Sequence, residues 1–400
     1  MIAWPMSILT SCFRMNAKRR KVLFIIEASL KSGAGRCAVE LIQRVKDSSE
    51  FEPIVVTQYS NDVNEYCSEN DVENYHTHYA RTCSLGMGRL GWLIAFFMRP
   101  ILNKISYYRL AKKIDFSKIC LIHSNAISID FGAYLHKKTG LPHIWHVRDF
   151  LIFEKKWDSL IWNLPSYMMK NSSKIITVSN SLKKYFVECG IIGQNIQTIY
   201  DGIDLPKNAN NDCSKQDNNI INVACVGYIC DLKGQEVLID AIIRLPVEKR
   251  SAFKFFFWGE FDPRFKTHIL NKVADNELES IVFFCGFSKN VFDELRNMDV
   301  GVQPSHSEGF SRVTAEYMAA GVCPIAAKEG AIPELIQDHV NGLMYEDYNS
   351  KELADLLLYC YDNQDEMKLY GQKAKEKAWQ YYDFEKNYNQ ILDVYRETAF

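Results

Sequence analysis

The sequence predicts an α/β protein built from two doubly wound, parallel-sheet domains facing a cleft. Three observations carry that reading. Short apolar strands alternate with helical patterns in each half of the chain. A glycine loop, Ser32-Gly33-Ala34-Gly35, joins the first strand to the first helix. A polar stretch at 205–219 with only two aliphatic side chains separates the halves and reads as a linker.

Taken in order, residues 1–14 are apolar but lack a leading positive charge, and the basic run Lys18–Lys21 follows them. That order argues against a secretory signal. Met15 opens Met-Asn-Ala-Lys-Arg-Arg-Lys-Val-Leu-Phe, the usual lead into a first strand, so residues 1–20 read as a leader with Met15 as the expected start. Val22–Glu27 reads as a buried parallel strand, being short and almost wholly apolar. The glycine loop and a helix over 36–46 follow. The loop is no G-x-G-x-x-G fingerprint, and a plain tight turn is an equal reading. Further strands are expected at Pro53–Thr57, Leu121–His123, His143–Val147, Lys174–Val178 and Ile196–Tyr200. This first domain spans 21–204.

The second domain, 220–380, repeats the alternation. Strand Ile221–Val226 leads to helix Gln235–Leu245, strand Phe253–Phe257 to helix Phe265–Asp275, and strand Ile281–Cys285 to helix Lys289–Asn297. Strand Val300–Gln303 then enters the loop Pro304–Phe310. Ser311 reads as an N-cap, Arg312–Ala320 as the helix, and Gly321 as the residue past its end. A last helix, Tyr388–Glu397 within 381–400, is expected to cross back to the first domain.

Composition limits the function classes. At 400 residues, with 47% hydrophobic and 24% charged residues, the chain can bury two cores. The twelve cysteines are scattered, with neither a Cys-x-x-Cys pair nor a zinc-like cluster, which points to reduced thiols in a cytoplasmic protein. No apolar run reaches the roughly 18 residues of a spanning helix. The net charge of −2 hides a basic first half and an acidic second half. Arg89–Lys113 combines many large apolar residues with Arg89, Arg99, Lys104, Arg109, Lys112 and Lys113 and contains no acid. Such a stretch suits an anionic membrane surface, or an ordinary helix with its apolar face in the core. Nucleic-acid binding has no support beyond the basic cluster at 18–21.

The chemistry concentrates at Ser305-His-Ser-Glu308-Gly309-Phe310-Ser311-Arg312-Val313-Thr-Ala-Glu316. One carboxylate lies in a loop just before a helix N-terminus, and a second lies in the helix's second turn. Unpaired amides at such a terminus favour anions. Two acids beside an anion cradle suit a ligand with hydroxyls and a diphosphate, although a Glu-x7-Glu pair alone is equally a solvated surface loop.

The flanking blocks extend the pattern: His146-Val-Arg148-Asp149, Thr177-Val-Ser179, Thr198-Ile-Tyr-Asp201-Gly202, Val226-Gly227 through Lys233-Gly234, Ala319-Ala-Gly321-Val-Cys-Pro, and Gly330-Ala-Ile-Pro333-Glu334. In this order they resemble the family 4 retaining glycosyltransferases over roughly residues 21–395. The resemblance implies the GT-B architecture and transfer of a sugar from a UDP- or GDP-sugar with retention of configuration. The expected acceptor is a glycan or a lipid-diphosphate-linked one, the latter suited by the Arg89–Lys113 stretch, in surface polysaccharide synthesis by a cytoplasmic protein peripheral at the inner face of the cell membrane. It assigns Glu308 and His146 to catalysis. His146 ends a strand and is expected to point into the cleft. Lys233, Glu316, Gly309, Phe310, Ser311, Arg312, Val313 and Gly33 are assigned to the donor, and Gly35, Arg148 and Asp149 more weakly to the acceptor side.

Glu316 would accept from both ribose hydroxyls, and Glu308 would face the transferred sugar. Ser179 matches a position near the cleft or a helix cap, and Glu334 reads as a loop anchor. The chain has no Asp-x-Asp pair, so no cofactor and no metal are expected. Lys233 and the helix N-terminus would carry the charge of the leaving diphosphate instead. Two positions depart from the family: Tyr228 stands where an arginine is usual, and Ala331 where a second glycine is usual, whose methyl would narrow the donor pocket or shift the loop. Alternatives are a catalytically inactive nucleotide-sugar-binding subunit and, on the same architecture, a nucleotide-sugar epimerase.

Overall fold

The computed structural model describes residues 19–85, 88–150, 157–161, 163–205, 220–288 and 290–399. The leader, most of the expected linker and Lys289 lie outside the described residues.

The first domain runs β1 (Arg20–Ile26), α1 (Gly33–Asp47), β2 (Phe51–Thr57), α2 (Asp62–Glu69), β3 (Glu73–His76), β4 (Cys83–Leu85), α3 (Gly88–Leu110), β5 (Ile119–Ser124), α4 (Phe131–Thr139), β6 (His143–Val147), β7 (Trp157–Ser159), α5 (Leu164–Lys170), β8 (Lys174–Thr177), α6 (Asn180–Glu188) and β9 (Ile196–Thr198). Its seven-stranded sheet has the order β3-β2-β1-β5-β6-β8-β9, and every pairing is parallel. Residues Val22–Ile26 are buried without alternation because parallel neighbours and helices cover both faces. A separate antiparallel pair, β4–β7, was not foreseen; three-residue strands carry too little pattern to read.

The second domain runs β10 (Ile221–Val226), α7 (Gln235–Arg244), α8 (Val247–Arg250), β11 (Phe253–Trp258), α9 (Pro263–Asp275), β12 (Val282–Gly286), α10 (Val291–Leu295), β13 (Val300–Gln303), α11 (Arg312–Ala320), β14 (Cys323–Ala327), α12 (Ile332–Leu335), β15 (Leu343–Tyr345), α13 (Ser350–Asp362) and α14 (Gln364–Tyr381). Its parallel order is β12-β11-β10-β13-β14-β15.

The last helix, α15 (Phe384–Thr398), packs on the first sheet. Tyr388, Ile391, Leu392 and Tyr395 share one core with Phe24, Leu121 and Ile144. A second apolar cluster spans the domains, joining Trp145, Val147 and Leu182 to Phe310, Met318, Ile332 and Leu335.

Strand order reverses between β1 and β5 in the first sheet and between β10 and β13 in the second. Such switch points open a crevice at the carboxyl ends of the strands. The loops after β1, β10 and β13 all reach one cavity between the domains.

Candidate active site

The cavity measures about 560 Å³. Gly33, Arg36, Cys37, Arg148, Asp149 and Asp201 line it from the first domain. Tyr228, Lys233, Trp258, Phe287, residues 308–313 and Glu316 line it from the second. At its floor Lys233 Nζ lies 2.8 Å from Glu308 Oε1, and Gln303 Nε2 donates to the same oxygen at 2.7 Å. Gln303 closes β13 and Lys233 lies at the end of the loop that runs from the neighbouring β10 to α7, so adjacent strands of the sheet bring these groups together. Gly330, at φ +54°, supports the loop from behind. A Cβ there would lie 2.1 Å from the Glu308 carbonyl oxygen. Only glycine fits.

Ser311 adopts a left-handed backbone, φ +68° and ψ +71°, which costs a non-glycine residue roughly 1–3 kcal/mol. Its hydroxyl bonds to the Thr314 hydroxyl at 2.8 Å and makes no capping bond to the backbone. The sequence-based assignment of Ser311 as N-cap therefore holds for position but not for the side-chain bond. The first-turn amides of α11 stay uncapped by Ser311 at the cavity wall, an arrangement suited to an anion.

Glu316 is buried and its Oε1 accepts from Arg312 Nε at 3.0 Å. Arg312 also makes a two-pronged pair with Glu40 of α1, at 2.6 and 2.7 Å. Burial disfavours the Arg312 charge, but Cys37, Glu316 and Glu40 outweigh it and hold the pKa well above the ordinary arginine value. From sequence Arg312 reads as a candidate cation for the diphosphate or as a helix-surface residue. It is largely buried, lines the cavity and ties the two domains together through Glu40. The cations that the sequence reading passed over are Arg36, stacked over Phe287 at 5.2 Å, and Lys31, 3.0 Å from Glu260 across the cavity mouth.

His146 departs from expectation. It is fully buried within β6, not among the cavity-lining residues, and stands 5.3 Å from the His123 ring. Burial, then Arg148 and His123, push its pKa well below the usual histidine range. Alternation along β6 explains the difference: Trp145 and Val147 pack in the cluster shared with the second domain, so His146 faces the opposite side. No direct catalytic contact follows from this position.

Two and three residues further along the chain, Arg148 and Asp149 do reach the cavity. Arg148 pairs with Asp201 and donates to Asn125 Oδ1 at 2.9 Å. Burial opposes the Arg148 charge, and Asp201, with Cys37 and Tyr388, more than restores it.

Gly309 meets the first domain closely: a Cβ would fall 2.0 Å from the Arg148 carbonyl oxygen. Gly35 is needed for a similar reason, against the Ser29 oxygen at 2.0 Å, and does not line the cavity, whereas Gly33 does. The Phe310 ring packs on Tyr200 and Tyr382, so its cavity-facing part is backbone. Val313 lines the wall. Ala331 is buried in the cross-domain cluster and absent from the lining, so its methyl does not narrow the cavity. Ser179 is the α6 cap, accepting from the Leu182 amide at 3.2 Å. Glu334 anchors more than its own loop. It accepts from the Asn180 and Ser181 amides and the Tyr200 hydroxyl, capping α6 from the other domain.

Two family descriptions cover this geometry: "Glycosyltransferase Family 4" matches residues 31–207 and "Glycosyl transferases group 1" matches residues 221–363. A glycosyltransferase of Methanocaldococcus jannaschii, itself uncharacterized, is 30% identical over 310 residues, covering 75% of this chain and 82% of that one. The chain is a family 4 (group 1) glycosyltransferase. This glycosyltransferase is also 26% identical over 250 residues to N-acetyl-α-D-glucosaminyl L-malate synthase of Bacillus anthracis, covering 60% of this chain and 64% of that enzyme. In fold it resembles the Anabaena protein HepE, solved in complex with UDP and glucose, with a TM-score of 0.77 at 22% identity. That match covers 95% of this chain and 100% of the other. Its two parallel-sheet domains thus adopt the GT-B architecture.

Among the described residues, no group of three or more His, Cys, Asp or Glu side chains is placed to hold a metal ion. No helix among them is long and apolar enough to cross a membrane.

Proposed function

We propose that this glycosyltransferase moves a sugar from a UDP- or GDP-sugar to a glycan acceptor, with retention of configuration and without a metal. The observation that carries this is the Lys233–Glu308–Gln303 cluster beside the uncapped start of α11. A lysine and a helix terminus face one small volume where a leaving diphosphate can gather charge. Arg36, at the cavity wall, supplies the second cation that Tyr228 does not. Glu316, oriented by Arg312, presents a carboxylate to the ribose diol. Glu308 stabilises positive charge growing on the transferred sugar, while the donor phosphate accepts the acceptor's proton.

Support for UDP comes from the HepE complex. Support for an acceptor held on a lipid diphosphate at the inner membrane face, in surface polysaccharide synthesis, comes from the basic, acid-free stretch Arg89–Lys113. The test is turnover of a panel of UDP- and GDP-sugars, with and without EDTA, by the parent enzyme and by Glu308→Ala and Glu316→Ala. One donor should turn over in EDTA and fail in both variants. Loss of activity in EDTA would overturn the metal-free chemistry. Donor binding without turnover, even with a membrane-extract acceptor, would overturn the catalytic reading.

A further inference from the structure

Helix α3 is turned inside out. Positions Trp92, Arg99, Asn103, Ser106 and Leu110 recur at helical spacing and form the face against the protein. Most of that face is polar. Arg99 pairs with Asp130 at 3.1 Å and Asn103 bonds Asp130 at 2.7 Å. Asn103 also accepts from the Ala80 amide at 2.8 Å, and the Ser106 hydroxyl donates to the His78 carbonyl at 2.9 Å. Trp92 Nε1 donates to the Ser159 carbonyl at 2.9 Å.

The opposite face, Leu90, Ile94, Phe97, Ile101, Ile105 and Tyr108, is apolar and exposed, with Leu90 at 73%, Ile94 at 57% and Phe97 at 66%. An ordinary surface helix puts its apolar stripe inward and its polar groups out. Here the polar side chains fasten the helix to the fold, and the large apolar ones face away from it. No residue from Arg89 to Leu102 is fully buried, so this half of the helix stands proud of the domain.

The surrounding charge says what covers that stripe. Arg89, Lys104, Arg109, Lys112 and Lys113 are all exposed around it, and no acid occurs between 89 and 113. A self-associating apolar face would gain nothing from one-signed charge, which repels a second copy of itself, whereas an anionic surface is attracted. We infer that α3 lies flat in the interface of an anionic lipid bilayer, its apolar face among the acyl chains and its lysines and arginines at the headgroups. The inference rests on the reading of a membrane-held acceptor and names the surface that would bring the cleft to it. Arg99 and Asn103 tie α3 to Asp130, which begins α4 just past the carboxyl end of β5, the end of the sheet at which the cleft opens.

The test uses the full chain and two vesicle types, neutral phosphatidylcholine and the same lipid with about one third phosphatidylglycerol. Flotation should show binding to the anionic vesicles, weakened by high salt. A Phe97→Glu, Ile101→Glu double variant, at exposed sites, should lose about tenfold or more of that binding. Its thermal midpoint and its turnover of soluble donor should match the parent. A single Ile105→Glu variant with a smaller loss guards against misfolding of the double variant. Anionic-vesicle binding equal in parent and both variants, or no binding at all, would overturn the assignment. So would a parent dimer that the variants dissociate while vesicle binding persists, which would make the face a self-contact. Because donor turnover is read separately, failure of vesicle binding leaves the transfer chemistry standing, and failure of turnover leaves the membrane surface standing.

Discussion

On the second-domain wall of the cleft, Gln303, Glu308, Ser311 and Glu316 come from one run of chain: a strand end, a loop and the helix it opens. On the first-domain wall, Arg36, Arg148 and Asp201 come from three separate segments, and each is placed by a distant partner: Arg36 by Phe287, Arg148 and Asp201 by each other. The second-domain wall is local and written in spacing, so a linear reading reaches it. The first-domain wall depends on packing that sums over the whole fold. The difference also separates roles. Under the proposed function the local wall, with Lys233 beside it, holds groups suited to the donor, while the assembled wall adds Arg36 and the ties, Glu40 to Arg312 and the α6 start to Glu334, that bring the domains together.

The comparison breaks first at Glu308. Glu308→Gln keeps the shape but removes the charge proposed to face the sugar, and kcat/KM should fall by about a hundredfold or more, measured in steady state. An unchanged rate would return the loop to an ordinary surface turn. Next is Gly309→Ala, whose methyl would collide with the Arg148 backbone. The fold should survive, since each domain has its own core, but transfer should drop by about tenfold or more because the two walls can no longer close as observed.

The assembled wall is sharpened by Asp201→Asn. It leaves Arg148 buried without its counter-charge, at a cost on the order of 3–5 kcal/mol, so the thermal midpoint should fall by several degrees.

Per group, the smallest effect is pH dependence in the same domain. Burial lowers the His143 pKa to about 4, and His123 and His146 are lowered as well. Between about pH 6.5 and 4 the unfolded chain binds protons that the folded chain refuses. Stability is therefore fully present above pH 6.5 and lost as pH falls through that window, on the order of 3 kcal/mol for His143. Melting curves from pH 7.5 to 4.5 check the sign, and His143→Asn should flatten the slope.

Strands buried on both faces were legible because parallel sheets read as unbroken apolar runs; Ile221–Val226 and Val300–Gln303 appear at the expected bounds. Helix α11 was legible end to end, from Ser311 to Gly321. What escaped had weak or misleading local signals. His146 sits in a strand whose alternation decides its face, and no pattern in five wholly buried residues shows which face is which. Arg312 has the spacing of a site residue, but only the fold reveals Glu40 opposite. Asp201 did carry a signal, since it follows a strand end at the cleft side. The inverted polarity of α3 was half legible: its composition showed apolar and basic residues without acids, and only the structure shows which face points out.

The most direct measurement is calorimetric titration of UDP and GDP into the parent enzyme and into Glu316→Ala. If the local wall is the donor site, one nucleotide should bind the parent, and the variant should bind it about tenfold more weakly or worse, with its melting curve unchanged. Equal affinity in the two proteins would contradict the assignment of Glu316 to the donor, and with it the division of labour between the walls.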